Sequence, residues 1–358
     1  MSDVNHPEPD VSAPLPDGWT SVHPELADVD DLVRLLRRHE REARGFPGAD
    51  SETVAAEVTG RGAQTRTHLV IKDDSGRARG WVNCHDRASQ RVLVGVTVDP
   101  DLDAAVADQV AAHCFALSEH FALQIMQDRG VGESHMDSGA FESDGRQGRW
   151  LQEAGFELVR HWWQMSREVT PGERTSLPEP RTGVEVRRVR QDDIGMPDEQ
   201  DLRDVHQVLE DSFADHFNSY REPFEDFVDR LREDPGHRWD HWWLASVDGS
   251  AAGSVVASTT TGHLDSAGEP IPDGSYIDYM GVSENARGRG VAKALLYAVI
   301  ADAAARGRNR VGLEVDADSP TNADQLYTSL GWETAYITQS WHKSLGADHV
   351  TKVEGQEV

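Results

Sequence analysis

The sequence has little cysteine and no long run of apolar residues. Its two cysteines, Cys84 and Cys114, have the spacing of neither a metal site nor a redox pair, which favours reduced thiols in a cytoplasmic protein. No apolar stretch is long enough to span a membrane, and the first residues lack the basic-then-apolar order of a signal peptide. We therefore expect a soluble, intracellular protein that uses neither a metal nor a membrane.

Basic residues are also scarce. The chain has 35 Lys and Arg against 63 Asp and Glu, a formal net charge of −28 over 358 residues. Such an acidic surface argues against nucleic acid as a partner, because phosphate backbones select basic patches. The charge fits a cationic or neutral substrate, although solubility alone can also produce it. The length allows two domains, each with its own core.

The most informative stretch runs from residue 276 to 305. Residues 276–282 are rich in β-branched and aromatic side chains and predict a strand, and residues 291–305 have helical spacing. The turn between them holds Gly288 and Gly290, which permit unusual backbone angles, and Arg287 and Arg289, whose forks suit phosphate oxygens. Because the first amides of a helix bind anions, we expect a pyrophosphate here.

The spacing Arg287-x-x-Gly290-x-Ala292 resembles the pyrophosphate loop of the GNAT (Gcn5-related) N-acetyltransferases. Residues 310–316 read as the strand that follows in that family, and Leu326–Glu333 resembles its second signature, a helix ending in Tyr-x-x-x-Gly-Phe. The resemblance implies an α+β (α/β) fold class, with a mixed, mostly antiparallel sheet flanked by helices. It also implies acetyl-CoA as co-substrate and direct attack on its thioester by a primary amine of a small molecule or peptide.

The resemblance also assigns roles to residues. Tyr327, at the end of the second signature, is the expected general acid that protonates the departing thiolate. Ser319 stands where the family often has an asparagine facing the cofactor, so that contact is weakened or moves to Asn322. The residues expected to bind acetyl-CoA are Met280, Gly281, Val282, Arg287, Gly288, Arg289, Gly290, Val291, Ala292, Ser319 and Asn322.

The general base is open between two carboxylates. Alternation along a strand places Tyr276, Asp278 and Met280 on one face, and many relatives have a carboxylate at the place of Tyr276. Here Asp278 is the first candidate and Glu314, on the neighbouring strand, is the second. His216 and Tyr220 follow the first helix of this half, where the family's acceptor loops lie, and are expected to line the amine site.

The two halves of the chain resemble each other. Residues 150–157 parallel 326–333, but the first half has Asp101 and Asp103 where the second has its glycine-arginine loop, and Leu151 in place of Tyr327. We expect a tail over 1–17, a degenerate GNAT domain over 18–166, a linker over 167–183, an active GNAT domain over 184–346 and a tail over 347–358.

Two alternatives stay open. The chain could be a non-catalytic acyl-CoA-binding or interaction protein that keeps both halves for shape. The tandem arrangement is also that of mycothiol synthase, although that enzyme has a glutamate at the place of Tyr276. The sequence leaves open which amine accepts the acetyl group and how many chains assemble.

Overall fold

The computed structural model describes residues 13–60, 62–87, 91–193, 195–213, 222–232, 237–264, 270–318 and 323–346. The chain folds into two compact units. The first comprises Met1–Trp162 and Tyr336–Val358, and the second comprises Trp163–Ala335. Within the described residues, no helix is both long and apolar enough to cross a membrane.

The first unit is built from a sheet with helices packed on it. Its helices are α1 (Val29–Arg44), α2 (Ser51–Val58), α3 (Gly62–Thr65), α4 (Ala104–Asp128) and α5 (Gly145–Glu153). Its strands are β1 (Thr20–Val22), β2 (Arg66–Lys72), β3 (Ala78–Arg87), β4 (Arg91–Val98), β5 (Ser134–Phe141), the first part of β6 (Glu157–Glu168) and most of β14 (Glu333–Leu345). Strands β1 to β4 are antiparallel neighbours in sequence order, β4 and β5 are parallel, and β14 pairs antiparallel with β5.

The second unit repeats this plan. Its helices are α6 (Glu173–Ser176), α7 (Glu199–Phe213), α8 (Phe224–Arg232), α9 (Val291–Ala305) and α10 (Ala323–Ser329). Its strands are β7 (Val184–Arg188), β8 (His237–Val247), β9 (Ser250–Thr260), β10 (His263–Leu264), β11 (Pro270–Ile271), β12 (Gly274–Val282), β13 (Arg310–Asp316) and the last part of β6. The order β7-β8-β9-β12-β13-β6 has antiparallel pairs up to β12 and a parallel step from β12 to β13.

Each unit has a pair of parallel strands that follow each other in the fold, β4–β5 or β12–β13, because a long helix connects the two strands. In each unit a long helix, α4 or α9, crosses back over the sheet so that the next strand runs in the same direction. Helix α9 is apolar almost all round and buries Leu295, Leu296 and Ile300 in the core on its side of the sheet. Helices α7 and α8 cover the other side, around Trp242.

The division into units differs from the boundaries expected from the sequence. Residues from Tyr336 onward belong to the first unit, because β14 pairs with β5 from Thr338↔Phe141 to Leu345↔Ser134. In turn, the part of β6 from Trp163 onward belongs to the second unit, where the sheet order places β6 beside β13. Each unit thus takes its last strand from the other half of the chain, which strand propensity alone does not reveal.

Candidate active site

The loop between β12 and α9 has an open helix N-terminus. A short 3₁₀ turn at Glu284–Ala286 leads into it, and Gly288 and Gly290 adopt left-handed φ values of 76° and 89°. Gly290 is the N-cap of α9, and no side chain caps the helix there. The amides of the first turn therefore lack intrahelical partners and point toward the loop. This is the backbone geometry that binds anions.

Three arginines surround this loop. Arg287 pairs with Glu284 at 3.3 Å and Arg289 with Asp248 at 3.2 Å, and both guanidinium groups are substantially exposed. Arg181 donates to the carbonyl of Gly288 over 3.2 Å. A Cβ added to Gly290 would lie 2.9 Å from Cδ of Arg181. Sequence reasoning missed Arg181, because it lies in the stretch expected to be only a linker.

Strands β12 and β13 separate next to this loop. Their parallel pairing covers only Ser275–Ile277 against Val311–Leu313, although both strands continue beyond it. On its other side β12 stays paired with β9 as far as Val282↔Gly253. The edge of β12 that carries Met280 and Val282 is thus outside the β12–β13 ladder. The two strands are therefore unpaired with each other beyond Ile277 and Leu313.

A β-bulge changes which residues share a face of β12. Ile277 lies opposite Ala257 and Tyr279 opposite Val256, so Asp278 is the additional residue. Ser258, which lies opposite Tyr276, donates to Asp278 over 3.1 Å. Beyond the bulge, Tyr279 packs in the core under α7 and α8, whereas Met280 packs in the core under α9. The expectation that Met280 shares a face with Tyr276 and Asp278 is therefore wrong, because a bulge shifts the alternation by one residue.

Glu314 is held by a residue from a distant part of the sequence. The side-chain amide of Gln164, on β6, donates to Oε2 of Glu314 in a short hydrogen bond. The hydroxyl of Tyr276 donates to Oε1 of the same amide over 3.1 Å. Tyr276 lies opposite Gly312 in the β12–β13 register, and a Cβ at Gly312 would be 3.0 Å from its ring. The ring of Tyr276 thus lies over a glycine of β13 and reaches β6.

The carboxyl group of Glu314 is a weaker acid than an ordinary glutamate. Surrounding protein raises its pKa by desolvation, the negative charge of Asp316 raises it further, and the hydrogen bond from Gln164 opposes both effects. The side chain nevertheless keeps exposed surface. A carboxylate that is accessible and has a raised pKa is suited to accepting a proton near neutral pH.

Tyr327 lies on α10 in the core under α9. Its side chain is buried and its ring makes an edge contact with Trp332, with the centroids 6.1 Å apart. Burial raises the pKa of the Tyr327 phenol to about 12. The phenol is therefore protonated throughout the physiological pH range. In the first unit the corresponding Leu151 is fully buried in the core.

Four of the residues expected at the site lie outside the described residues: His216, Tyr220, Ser319 and Asn322. Asp278 and Glu314 each follow the last pair of the β12–β13 ladder, Ile277 and Leu313, and the loop 287–292 follows the end of β12. Among the described residues, no group of three or more His, Cys, Asp or Glu side chains could hold a metal ion.

The family comparison decides what kind of domain this is. Residues 202–332 match the model of the acetyltransferase (GNAT) family. These residues form a GNAT acetyltransferase domain. The match includes the loop, the separated strands and Tyr327, so the acyltransferase activity expected from the sequence is confirmed at the level of the family. No curated protein matches the sequence of the chain.

Solved structures agree with the tandem fold. A GCN5-related N-acetyltransferase from Sphaerobacter thermophilus is 22% identical, with a TM-score of 0.68 over 93% of this chain and 98% of that one. A tandem GNAT protein from the clavulanic acid biosynthesis pathway is 12% identical, with a TM-score of 0.66 over 91% and 98%. Saccharomyces cerevisiae N-myristoyltransferase with bound myristoyl-CoA is 12% identical, with a TM-score of 0.56 over 93% and 85%. At these identities the likeness concerns the fold, and the predicted tandem GNAT fold class is confirmed.

Proposed function

We propose that the second unit transfers the acetyl group of acetyl-CoA to a primary amine of a small molecule or peptide by direct attack. The observation that carries this proposal is the open N-terminus of α9 beside the free edge of β12. The amides from Arg287 to Ala292 bind the pyrophosphate, and the main chain of Met280 and Val282 pairs with pantetheine. Gly281 completes this edge, and Ser319 or Asn322 adds a further cofactor contact.

The amine reaches the site as an ammonium ion and must lose a proton before it attacks the thioester. Asp278 is one candidate for this base, and its carboxylate accepts a hydrogen bond from Ser258. The raised pKa of Glu314 favours Glu314 instead, because a base with a pKa nearer to neutrality accepts the proton more readily. In this scheme Asp278 attracts the ammonium group, and His216 and Tyr220 line the rest of the acceptor site.

Tyr327 assists the departure of the thiolate. Proton transfer from a phenol with a pKa of about 12 to a thiolate whose conjugate acid has a pKa of about 8.5 is unfavourable by roughly 5 kcal/mol. A hydrogen bond to the developing negative charge has no such penalty and stabilises the transition state. We therefore assign Tyr327 the role of hydrogen-bond donor to sulfur, and the released thiolate takes its proton from solvent.

The alternative from a different class is a non-catalytic acyl-CoA-binding protein. One observation favours it: Tyr276 occupies the position where many relatives have a carboxylate, and its hydroxyl is engaged by Gln164. The same position argues against mycothiol synthase, which has a glutamate there. The two classes differ in whether thiol is released from acetyl-CoA when amines are supplied.

The first test is a calorimetric titration of acetyl-CoA into the full chain, read for stoichiometry. Gly290→Glu should abolish binding, because it places a carboxylate in the loop and displaces Arg181. Gly307→Glu is the matched control: Gly307 also has a left-handed φ, of 72°, but open space around it, at the other end of α9. One site, lost in Gly290→Glu and kept in Gly307→Glu, is expected. Two sites would refute the degenerate first unit, and none would refute the proposal.

An amine screen on the same protein then tests catalysis. Release of free thiol that depends on an added amine separates the enzyme from the non-catalytic binder. Glu314→Gln should abolish this release, whereas Asp278→Asn should mainly raise the KM for the amine. The opposite pattern would return the role of base to Asp278.

A further inference from the structure

We propose that the first unit binds a small anion with two or more phosphate-type charges in an arginine groove. The groove has a volume of about 350 Å³, and Asp31, Arg34, Arg37, Arg38, Arg41 and Arg77 contribute to its lining. This volume is at the lower end of the range of small-molecule sites. The proposal concerns the unit without the glycine-arginine loop and does not depend on acetyl transfer.

The groove forms where α1 meets the turn between β2 and β3. Arg34, Arg37, Arg38 and Arg41 recur at helical spacing, so they lie on one face of α1. The opposite face buries Leu32 and Val33 in the core. Arg77 comes from the turn, and the next residue, Ala78, donates its amide to Asp31 on α1 over 2.7 Å. The helix and the turn are therefore fixed against each other with their arginines around one concavity.

The protein itself neutralises only part of this charge. Arg34 pairs with Asp31 at 2.5 Å, and Nε of Arg37 donates to the carbonyl of Ala49 over 2.7 Å. Arg38 pairs with two aspartates of the loop that follows β4. In the described part of the chain, the side chains of Arg41 and Arg77 have no hydrogen bond or ion pair.

Asp99 explains why Arg38 contributes little to the net charge of the groove. It is fully buried at the end of β4 and accepts from Arg79 at 2.8 Å and from Arg38 at 3.3 Å. In the first unit, Asp99 and Asp101 thus neutralise nearby arginines at the position where the second unit has an open anion site. The two guanidinium groups without a partner in the described residues are those of Arg41, farther along α1, and Arg77, on the turn. We therefore place the ligand between these two side chains.

The arginines of α1 repel one another, because they lie three or four residues apart and Arg41 has no ion-pair partner in the described part of the chain. Like charges at this spacing destabilise a helix. Such a row is also unusual in a chain with a net charge of −28. A bound polyanion removes the repulsion, and planar guanidinium forks match the oxygens of phosphate groups. The acidity of the rest of the chain and the size of the groove favour a small ligand over a nucleic acid.

The test uses inorganic pyrophosphate as the probe, titrated calorimetrically into the full chain at low salt. The groove variant is Arg41→Glu/Arg77→Glu, and the matched control is Arg174→Glu/Arg232→Glu, which makes the same change in net charge at exposed positions of the second unit. Because the α9 loop can also bind pyrophosphate, the number of sites is compared as well as the affinity. Circular dichroism checks folding, and Arg41→Gln/Arg77→Gln is a milder variant if the charge reversal unfolds the protein.

We expect the groove variant to lose one site, or to weaken it by about tenfold or more, as the loss of two charge-assisted contacts predicts. The control should keep every site of the wild type. Equal weakening in both variants would show that only net charge matters, and an unchanged titration of the groove variant would show that the groove is empty. Citrate should bind at least about fivefold more weakly than pyrophosphate if the guanidinium forks select phosphate, and equal binding would overturn that assignment.

Discussion

The hydroxyl of Tyr276 donates to Oε1 of Gln164 over 3.1 Å, and this bond decides which way the glutamine amide points. With its oxygen engaged by the tyrosine, the amide presents its NH₂ group to Glu314. Many relatives have a carboxylate at the position of Tyr276. In this chain Tyr276 instead orients Gln164, which in turn holds the carboxylate of Glu314 on β13. The consequences of this arrangement can be measured.

Gln164→Met should move the pH dependence of catalysis. The substitution keeps the length of the side chain but removes the donor that opposes the raised pKa of Glu314. Glu314 acts as a base only when ionised, so a higher pKa shifts the acidic limb of the kcat/KM profile to higher pH. A hydrogen bond to a charged group corresponds to about one pH unit. Tyr276→Phe, which keeps the amide but no longer fixes its orientation, should shift the limb less, and an unshifted limb in Gln164→Met would remove Glu314 from the mechanism.

Gly312→Ala should destabilise the protein through Tyr276. The new Cβ would lie 3.0 Å from the tyrosine ring, and such overpacking typically costs about 1–3 kcal/mol in the free energy of unfolding. Urea denaturation measures this loss. In a Tyr276→Ala background the same substitution should cost much less, because the ring is gone. A loss of the same size in both backgrounds would show that the alanine acts on β13 by another route.

Tyr327→Phe should lower kcat by about 10²-fold, as expected for the loss of one hydrogen-bond donor to developing negative charge, and leave the Kd for acetyl-CoA nearly unchanged. Because the pKa of Tyr327 is about 12, its ionisation should produce no alkaline limb in the wild-type profile below pH 10. Rapid-mixing kinetics and calorimetry provide the two measurements. An unaltered kcat would exclude Tyr327 from the reaction.

Arg181→Gln should weaken acetyl-CoA binding by about three- to tenfold, the worth of one charge-assisted contact. Arg181 donates to the carbonyl of Gly288 and packs against Gly290, so its loss removes positive charge and loosens the loop. Arg174→Gln, at an exposed position on α6, is the control and should leave the Kd unchanged. Similar Kd values for both variants would mean that Arg181 does not contribute to the cofactor site.

The sequence by itself determined the features that arise from neighbouring residues. Glycines at 288 and 290 permit left-handed φ values, and the apolar pattern of 291–305 forms a helix wherever it packs, so the loop at the start of α9 follows from local chemistry. The family and the tandem fold class rest on the same local motifs in order. Both the family and the tandem fold class predicted from these motifs are confirmed.

The tertiary structure alone decided which distant segments meet. The pairing of β14 with β5, the contact of Gln164 with Glu314 150 positions away, and the packing of Arg181 against the α9 loop depend on long-range strand pairing and chain path. A β-bulge at Asp278 likewise places Met280 on the opposite face of β12 from the one that strict alternation predicts. The sequence pattern does not reveal this bulge. Local propensity determines which residues form a strand or a helix, but the burial of side chains between whole elements determines which edges pair.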